Sequence, residues 1–154
     1  MSRYLFLVGG LFCGFLISQC QIENAHAEAV ALIVHPSNGQ SKITTTFIAR
    51  VFQGRVMRWP DDGQKIFIVA ERGRRAAVKQ MLRAVFREQR EENDSYQEVF
   101  KERGVLFASE DDVVRFVAAT PNSLGIVHVG RVNGEVSVMA VDGYRPDDKG
   151  YGLR

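Results

Sequence analysis

Cysteine is scarce in this sequence, and the places where it occurs exclude several kinds of chemistry. The chain has two cysteines, Cys13 and Cys20, both near its start. If that first segment is removed after synthesis, no thiol remains. The rest of the protein then has no disulfide, no cysteine-ligated metal and no cysteine nucleophile. Its fold must be held together by an apolar core alone, and the remaining chain is long enough for one such domain.

The sequence also lacks an apolar run long enough to cross a membrane. Residues 4–17 carry no charge, but this run is shorter than the roughly 20 apolar residues that a spanning helix needs. It follows the basic residue Arg3 and precedes the small-x-small triplet Ala25-His26-Ala27. This order predicts a secretory signal peptide over residues 1–27, cleaved after Ala27, and therefore a periplasmic protein. The alternative is lipid attachment at Cys20, because residues 16–20 faintly resemble a lipobox.

A strong charge of either sign is lacking too. The 20 Lys and Arg residues nearly balance the 18 Asp and Glu residues, which leaves a net charge of +2. This balance argues against a general polyanion binder. Since nucleic acid is also an improbable partner for an exported protein, we expect none.

Apolar runs alternate with helical patterns along the rest of the chain. Runs rich in β-branched residues predict strands at residues 29–34, 66–70, 104–107, 126–129 and 136–141. The first is apolar throughout, which is typical of a strand buried on both faces. Helical patterns lie at residues 44–53, from Gly73 onward, at 95–103 and from Ser109 to Pro121. We therefore predict one α/β domain over residues 28–142, with a mixed, mostly parallel sheet flanked by helices, and a loose polar tail over residues 143–154.

Several residues predict local structure on their own. Thr44 and Ser109 are expected helix N-caps, and Gly54 is an expected helix end. Gly54 and Gly125 are expected to have positive φ, and Asn122 to occupy a left-handed position. Other expectations are core or lid positions for Phe52 and Trp59, a staple between Ile43 and Ile48, and a tight turn at Asn133-Gly134.

Four segments, taken in order, resemble one known family. They are Ile33-Val34-His35-Pro36-Ser37-Asn38; Val51-Phe52-x-Gly54 followed by Trp59-Pro60-Asp61-Asp62-Gly63; residues 66–69 leading to Arg72-Gly73; and Ala119-Thr120-Pro121-Asn122-Ser123-Leu124-Gly125-Ile126-Val127. Together they resemble the substrate-binding proteins of phosphate ABC importers, and in particular short, single-domain relatives. The resemblance implies a type II periplasmic-binding-protein-like domain reduced to one compact unit.

The resemblance also implies a function and a site. Family members capture a small oxyanion such as phosphate, without catalysis, through loop hydroxyls and amides at helix N-termini. The matching candidates here are Ser37, Asn38, Arg72, Gly73, Arg74 and Arg75. Helix N-termini attract anions, and an arginine can bind an oxyanion in a bidentate manner. The implied partners are the oxyanion and an inner-membrane transporter or another envelope protein.

An alternative function stays open at this point. The chain has Gly73-Arg74-Arg75-Ala76 where full-length phosphate binders have Gly-Ser-Gly-Thr, and those proteins are roughly twice as long. The basic series Arg75, Lys79, Arg83 and Arg87 offers a surface for a protein or lipid partner. The alternative is therefore a module that has kept the fold, lost the ligand and acts in an envelope complex or with a sensor protein.

No pattern in the sequence predicts an enzyme. Ser123 lacks the flanking glycines of a nucleophile elbow, and His35 and His128 lack the spacing of a metal site. Glu71 and Asp62 are loop acids without an evident partner. We therefore expect no catalytic residue, no metal and no cofactor.

Overall fold

The structure is a computed structural model that describes residues 28–73, 76–86 and 96–154, with the backbone alone for residues 96–99. The predicted signal peptide lies outside these ranges, so cleavage after Ala27 stays a prediction. Two of the predicted site residues, Arg74 and Arg75, also lie outside them.

Five strands build a central sheet, and two short strands form a separate pair. The strands are β1 (Val30–Val34), β2 (Lys42–Ile43), β3 (Phe67–Glu71), β4 (Gly104–Phe107), β5 (Ser123–His128), β6 (Ser137–Val138) and β7 (Ala140–Val141). The order in the large sheet is β4-β3-β5-β1-β6, and β2 and β7 form a separate parallel pair. β3 is parallel to β4 and β5, whereas β1 is antiparallel to β5 and β6. All strands of the large sheet except β1 therefore point in one direction, which confirms the mixed, mostly parallel sheet.

Helices cover both faces of this sheet. They are α1 (Thr45–Phe52), α2 (Ala77–Val85), α3 (Tyr96–Arg103) and α4 (Glu110–Ala119). The first three pack on the face that carries Leu32 and Ile68, and α4 packs on the face that carries Ile33 and Val69. Because both faces are covered, every side chain of β1 is fully buried. This burial explains the continuous apolar run and confirms the α/β class.

The predicted helix ends are confirmed where a local signal specifies them. The Thr44 hydroxyl accepts a hydrogen bond from the Phe47 amide, and the Ser109 hydroxyl accepts one from the Asp112 amide. Each cap satisfies one of the donors that a helix start leaves unpaired. After α1 the chain turns at Gly54, whose φ of 76° is easily reached by glycine. The staple residues Ile43 and Ile48 are both buried.

The loop between α1 and β3 carries the only tryptophan of the chain. Trp59 is 2% exposed and stacks on Phe47, with ring centroids 6.3 Å apart. Its indole N–H donates to the main-chain oxygen of Asn122, 3.1 Å away. Asn122 has a φ of 63°, so its predicted left-handed conformation is confirmed. Of the two predicted alternatives, core or lid, Trp59 and the buried Phe52 are core residues.

Gly125 corrects one prediction. Its φ is not positive; instead, β5 is squeezed between β1 and α4 at this residue. A Cβ at Gly125 would lie 2.7 Å from both Ile33 Cγ1 and Val117 Cγ2. Glycine is required here for close packing and not for a turn.

One further prediction about the C-terminal part is wrong. The expected strand at 136–141 is interrupted at the buried Met139, so that β6 joins the large sheet and β7 the small one. A turn follows Asn133, whose Oδ1 accepts the Glu135 N–H at 3.0 Å, and the next strand, β6, pairs with β1 and not with β5.

The expected loose tail is packed against the domain. Tyr151 and Leu153 are buried, the Tyr151 hydroxyl donates to Val30 O at 2.6 Å, and Leu153 O accepts from Val30 N at 2.9 Å. Tyr151 and Leu153 are therefore core residues, although the polar, glycine-rich composition of their segment does not predict this.

Candidate functional site

A cleft lies where the parallel strands end. β3 ends at Glu71, β5 ends at His128, and Ser109 follows β4 closely, so these residues meet at one edge of the sheet. Glu28 joins them because it precedes the antiparallel β1. The cleft has a volume of about 560 Å3 and is lined by Glu28, Glu71, Gly73, Ala76, Ser109, Glu110, Asp111, His128 and Arg131. The carboxyl ends of parallel strands are the usual place for a ligand in open α/β sheets.

Two helices begin at this cleft. α2 starts after Ala76, which offers no side-chain cap, and its first turn contains no acidic residue. α4 starts after Ser109, and its first turn contains Glu110, Asp111 and Asp112. Both helix starts direct unpaired amides and a partial positive charge toward the same region. The α2 start is therefore the more suitable of the two for an anion.

A buried carboxylate orients the histidine of the cleft. Glu110 is 7% exposed, and its Oε1 lies 2.7 Å from His128 Nδ1. Its Oε2 accepts the main-chain N–H of the same histidine at 3.1 Å. A carboxylate at Nδ1 favours the tautomer with hydrogen on that nitrogen. Nε2 is then the ring nitrogen that Glu110 leaves for another partner.

The carboxyl of Glu71 has a raised pKa. Partial burial raises the pKa of its carboxyl above the ordinary value of 4.5, and the nearby Glu110 raises it further. His128 and Arg131 act in the opposite direction, with smaller effects. Within the described part of the chain, the Glu71 carboxylate makes no hydrogen bond. It is thus available to a polar group that enters the cleft.

The other acids of the cleft have partners inside the protein. Glu28 Oε1 accepts the N–H of Gly130 at 2.5 Å, in the same way that Glu110 takes the N–H of His128. Asp111 Oδ1 lies 3.9 Å from Arg131 Nη1. Carboxylates of the protein therefore already occupy two main-chain donors at this edge. The remaining positive group of the described lining is the guanidinium of Arg131.

The structure separates the predicted site residues into two places. Gly73 lines the cleft, and the neighbouring Arg72 is exposed, with its amide donating to Phe107 O at 2.9 Å. Ser37 and Asn38 follow β1, whose direction is opposite to that of β3 and β5. They therefore lie at the other end of the sheet, where Ser37 Oγ is 2.7 Å from His35 Nδ1. Ligand binding by these residues stays a prediction.

Sequence reasoning missed most of the cleft. The sequence predicts Ser109 only as a cap, His128 only as a histidine without the spacing of a metal site, and Glu71 as an acid without a partner. The signal that connects them is the position of polar residues at the carboxyl ends of strands. Glu110 and Arg131 carry no such signal, since each has the pattern of an ordinary surface residue.

Metal binding and membrane insertion have no support in the described ranges. Within residues 28–73, 76–86 and 96–154, no group of three or more His, Cys, Asp or Glu side chains is placed to hold a metal ion. Among the helices in these ranges, none has the length and apolar character to cross a bilayer.

The geometry defines a one-lobe α/β domain with a cleft at its strand ends, and solved structures share this fold. No protein-family model and no curated protein sequence matches the chain. A phosphate ABC transporter substrate-binding protein from Clostridium perfringens, with bound phosphate, superposes with a TM-score of 0.65 at 18% identity. An ABC-type phosphate transport receptor from Vibrio cholerae gives 0.63 at 14%, and PstS from Borrelia burgdorferi gives 0.61 at 22%.

Each of these three matches covers 77% of this chain, but only 47% to 49% of the other chain. The chain thus spans about half the length of the proteins that it resembles. The resemblance read from the sequence is confirmed at the level of the fold.

Proposed function

We propose that the chain is a periplasmic solute-binding domain, released by cleavage after Ala27, whose cleft holds a small oxyanion such as phosphate without catalysis. The observation that carries this proposal is the meeting of two helix N-termini with Arg131 at the carboxyl ends of the strands. This arrangement supplies amide donors, a partial positive charge and a guanidinium at one place. The fold shared with phosphate receptors supports the same solute class.

The acidic side chains of the cleft favour an oxyanion that carries a proton. Phosphate retains a proton near neutral pH and can donate it in a hydrogen bond, whereas sulfate at that pH can only accept. Glu71 offers a carboxylate that makes no hydrogen bond to the described residues. A carboxylate that accepts a hydrogen bond from phosphate repels sulfate, because sulfate would leave it unpaired. We therefore propose phosphate in preference to sulfate.

Thermal melting with a panel of oxyanions tests this function. Phosphate at about 100 times its Kd stabilises a domain by about 2.7 kcal/mol, which raises the Tm of so small a protein by several degrees. Sulfate and chloride at matched ionic strength should raise it less. Arg131→Gln should weaken the phosphate effect, whereas Arg55→Gln, which removes an exposed arginine outside the cleft, should leave it unchanged.

Melting curves that do not move with any oxyanion would overturn the proposal. They would instead favour the ligand-free interaction module, for which the occupation of two main-chain donors by Glu28 and Glu110 is the supporting observation. Equal responses of the Arg131 and Arg55 variants would also count against a site at this cleft.

A further inference from the structure

The described lining of the cleft carries more negative than positive groups. Four carboxylates, those of Glu28, Glu71, Glu110 and Asp111, surround it together with Arg131 and His128. An anion that enters such a cleft is repelled by the acids, and the repulsion is strong where water is partly excluded. Another positive group at this edge would therefore offset the repulsion between these acids and an anion.

Glu28 is held against the cleft by two hydrogen bonds of its own and by one of the next residue. Its main-chain oxygen accepts a hydrogen bond from Gln80 Nε2 at 2.8 Å, and its side chain accepts the Gly130 N–H. The next residue, Ala29, accepts the Val129 N–H at 2.9 Å. Gly130 has no side chain at the point where the Glu28 carboxylate approaches, and a Cβ there would collide with Glu28 Oε1. Contacts from α2 and from the turn after β5 thus fix the position of Glu28.

The predicted cleavage bond lies directly before this fixed residue. Hydrolysis of the Ala27–Glu28 peptide bond by a signal peptidase consumes one water molecule. It leaves a carboxylate on Ala27 and a free amine on Glu28, which takes up a proton near neutral pH because an ordinary α-amine has a pKa of about 7.7 to 8.0. A neutral amide is thereby replaced by an ammonium with three donors.

We propose that processing after Ala27 installs the α-ammonium of Glu28 as an anion-binding group of the cleft. This inference rests on the proposed cleavage and deepens the proposed oxyanion site. It means that the precursor binds anions more weakly than the mature protein, because the precursor has an uncharged amide at the same place. Export and activation of the site then occur in one step.

The charged and titratable groups of the described cleft lining come from several elements. Glu71 ends β3, Glu110 and Asp111 begin α4, His128 ends β5, and Arg131 belongs to the 3₁₀ turn Val129–Arg131. The carboxylates outnumber the cations among them, so these surroundings favour the charged amine. Anion affinity should therefore decline only at a pH above the ordinary range of an α-amine.

The first test measures the amine without any ligand. The exported protein is purified, its N-terminus is identified by mass spectrometry, and its amines are labelled by reductive ¹³C-dimethylation, which preserves the charge. NMR titration should give the α-amine a pKa above about 8, and Glu71→Gln should lower it. Glu102→Gln, which removes an exposed acid of α3, should have no effect. A different N-terminus, or an ordinary pKa that Glu71→Gln leaves unchanged, overturns the inference.

The second test measures phosphate affinity by calorimetry. N-terminal acetylation, which removes the charge, should weaken phosphate binding by about tenfold or more, the value of one charged hydrogen bond, whereas dimethylation should not. Equal affinities of the acetylated and dimethylated proteins contradict an anion-binding role for the amine. If phosphate binds to neither form, the oxyanion function fails, and the NMR titration still decides separately whether the amine is charged and coupled to Glu71.

Discussion

Glu71 couples the cleft to the stability of the fold. The raised pKa of its carboxyl means that the folded protein holds this proton more tightly than the unfolded chain does. The corresponding stability is fully present below the ordinary value of 4.5 and is lost as the pH rises through the raised pKa. At neutral pH the charged form therefore destabilises the domain, because burial and Glu110 both oppose it.

Glu71→Gln should accordingly increase the stability of the domain at pH 7. We expect a higher Tm than that of the natural protein at pH 7, and a difference that shrinks as the pH falls toward 4. Calorimetric melts over this range check the prediction, with Glu102→Gln as the control for loss of an exposed charge. A Tm difference that does not vary with pH would contradict the assignment of the raised pKa to Glu71.

Individual residues also show which packing details can be predicted from sequence. Gly54 and Asn122 have the predicted left-handed conformations because their neighbours in sequence determine the turn. Gly125 depends instead on Ile33 and Val117, which come from distant segments. Its reason for being glycine could not be inferred without the packing of β5 between β1 and α4.

The elements of the fold were easier to predict than the site between them. The caps of α1 and α4 depend on residues within one helical turn, so a sequence pattern reveals them. The cleft requires Glu71, Ser109 and His128 to meet from three strand ends. Each of these residues has a satisfactory local explanation when taken alone, and only the order of the strands brings them together.

Among the elements, α4 offers the clearest test of a cap. Ser109→Ala removes the hydroxyl that accepts the Asp112 amide, which should lower the free energy of unfolding by about 1 kcal/mol. Urea unfolding measures this change, and Ser137→Ala on β6, an exposed serine outside any helix, serves as the control. Equal effects of the two substitutions would argue against a role for the cap.

The same serine affects protonation at the helix start. The hydrogen bond from Ser109 is the main reason that the pKa of Asp112 lies below its ordinary value, and Arg115 contributes in the same direction. An NMR titration of Ser109→Ala should therefore show an increased pKa for Asp112. This readout separates loss of the cap from a general loosening of α4.

At the scale of the whole molecule, the two ends of the described chain are joined. The N–H of Val30, at the start of β1, donates to Leu153 O, and its main-chain oxygen accepts the Tyr151 hydroxyl. Deletion of residues 151–154 should therefore destabilise the domain by at least about 3 kcal/mol, since it removes two buried side chains and leaves Val30 unpaired.

Tyr151→Phe is the matched control for this deletion, because it keeps the ring and removes only the hydroxyl. We expect a loss of about 1 kcal/mol in chemical unfolding. Burial also raises the pKa of Tyr151, so the natural protein should lose stability as the pH rises above 10, and the phenylalanine variant should lose less. A deletion no more harmful than the single substitution would mean that the tail is not part of the core.

The position of Trp59 gives the protein a built-in fluorescent reporter. Trp59 lies in the loop before β3, at the end of the sheet opposite the cleft. Its indole is buried against Phe47 of α1. As the chain has no other tryptophan, its emission should shift to longer wavelength when the domain unfolds and change little when a solute enters the cleft. Intrinsic fluorescence can therefore follow folding during solute titrations without a label and without interference from the bound anion.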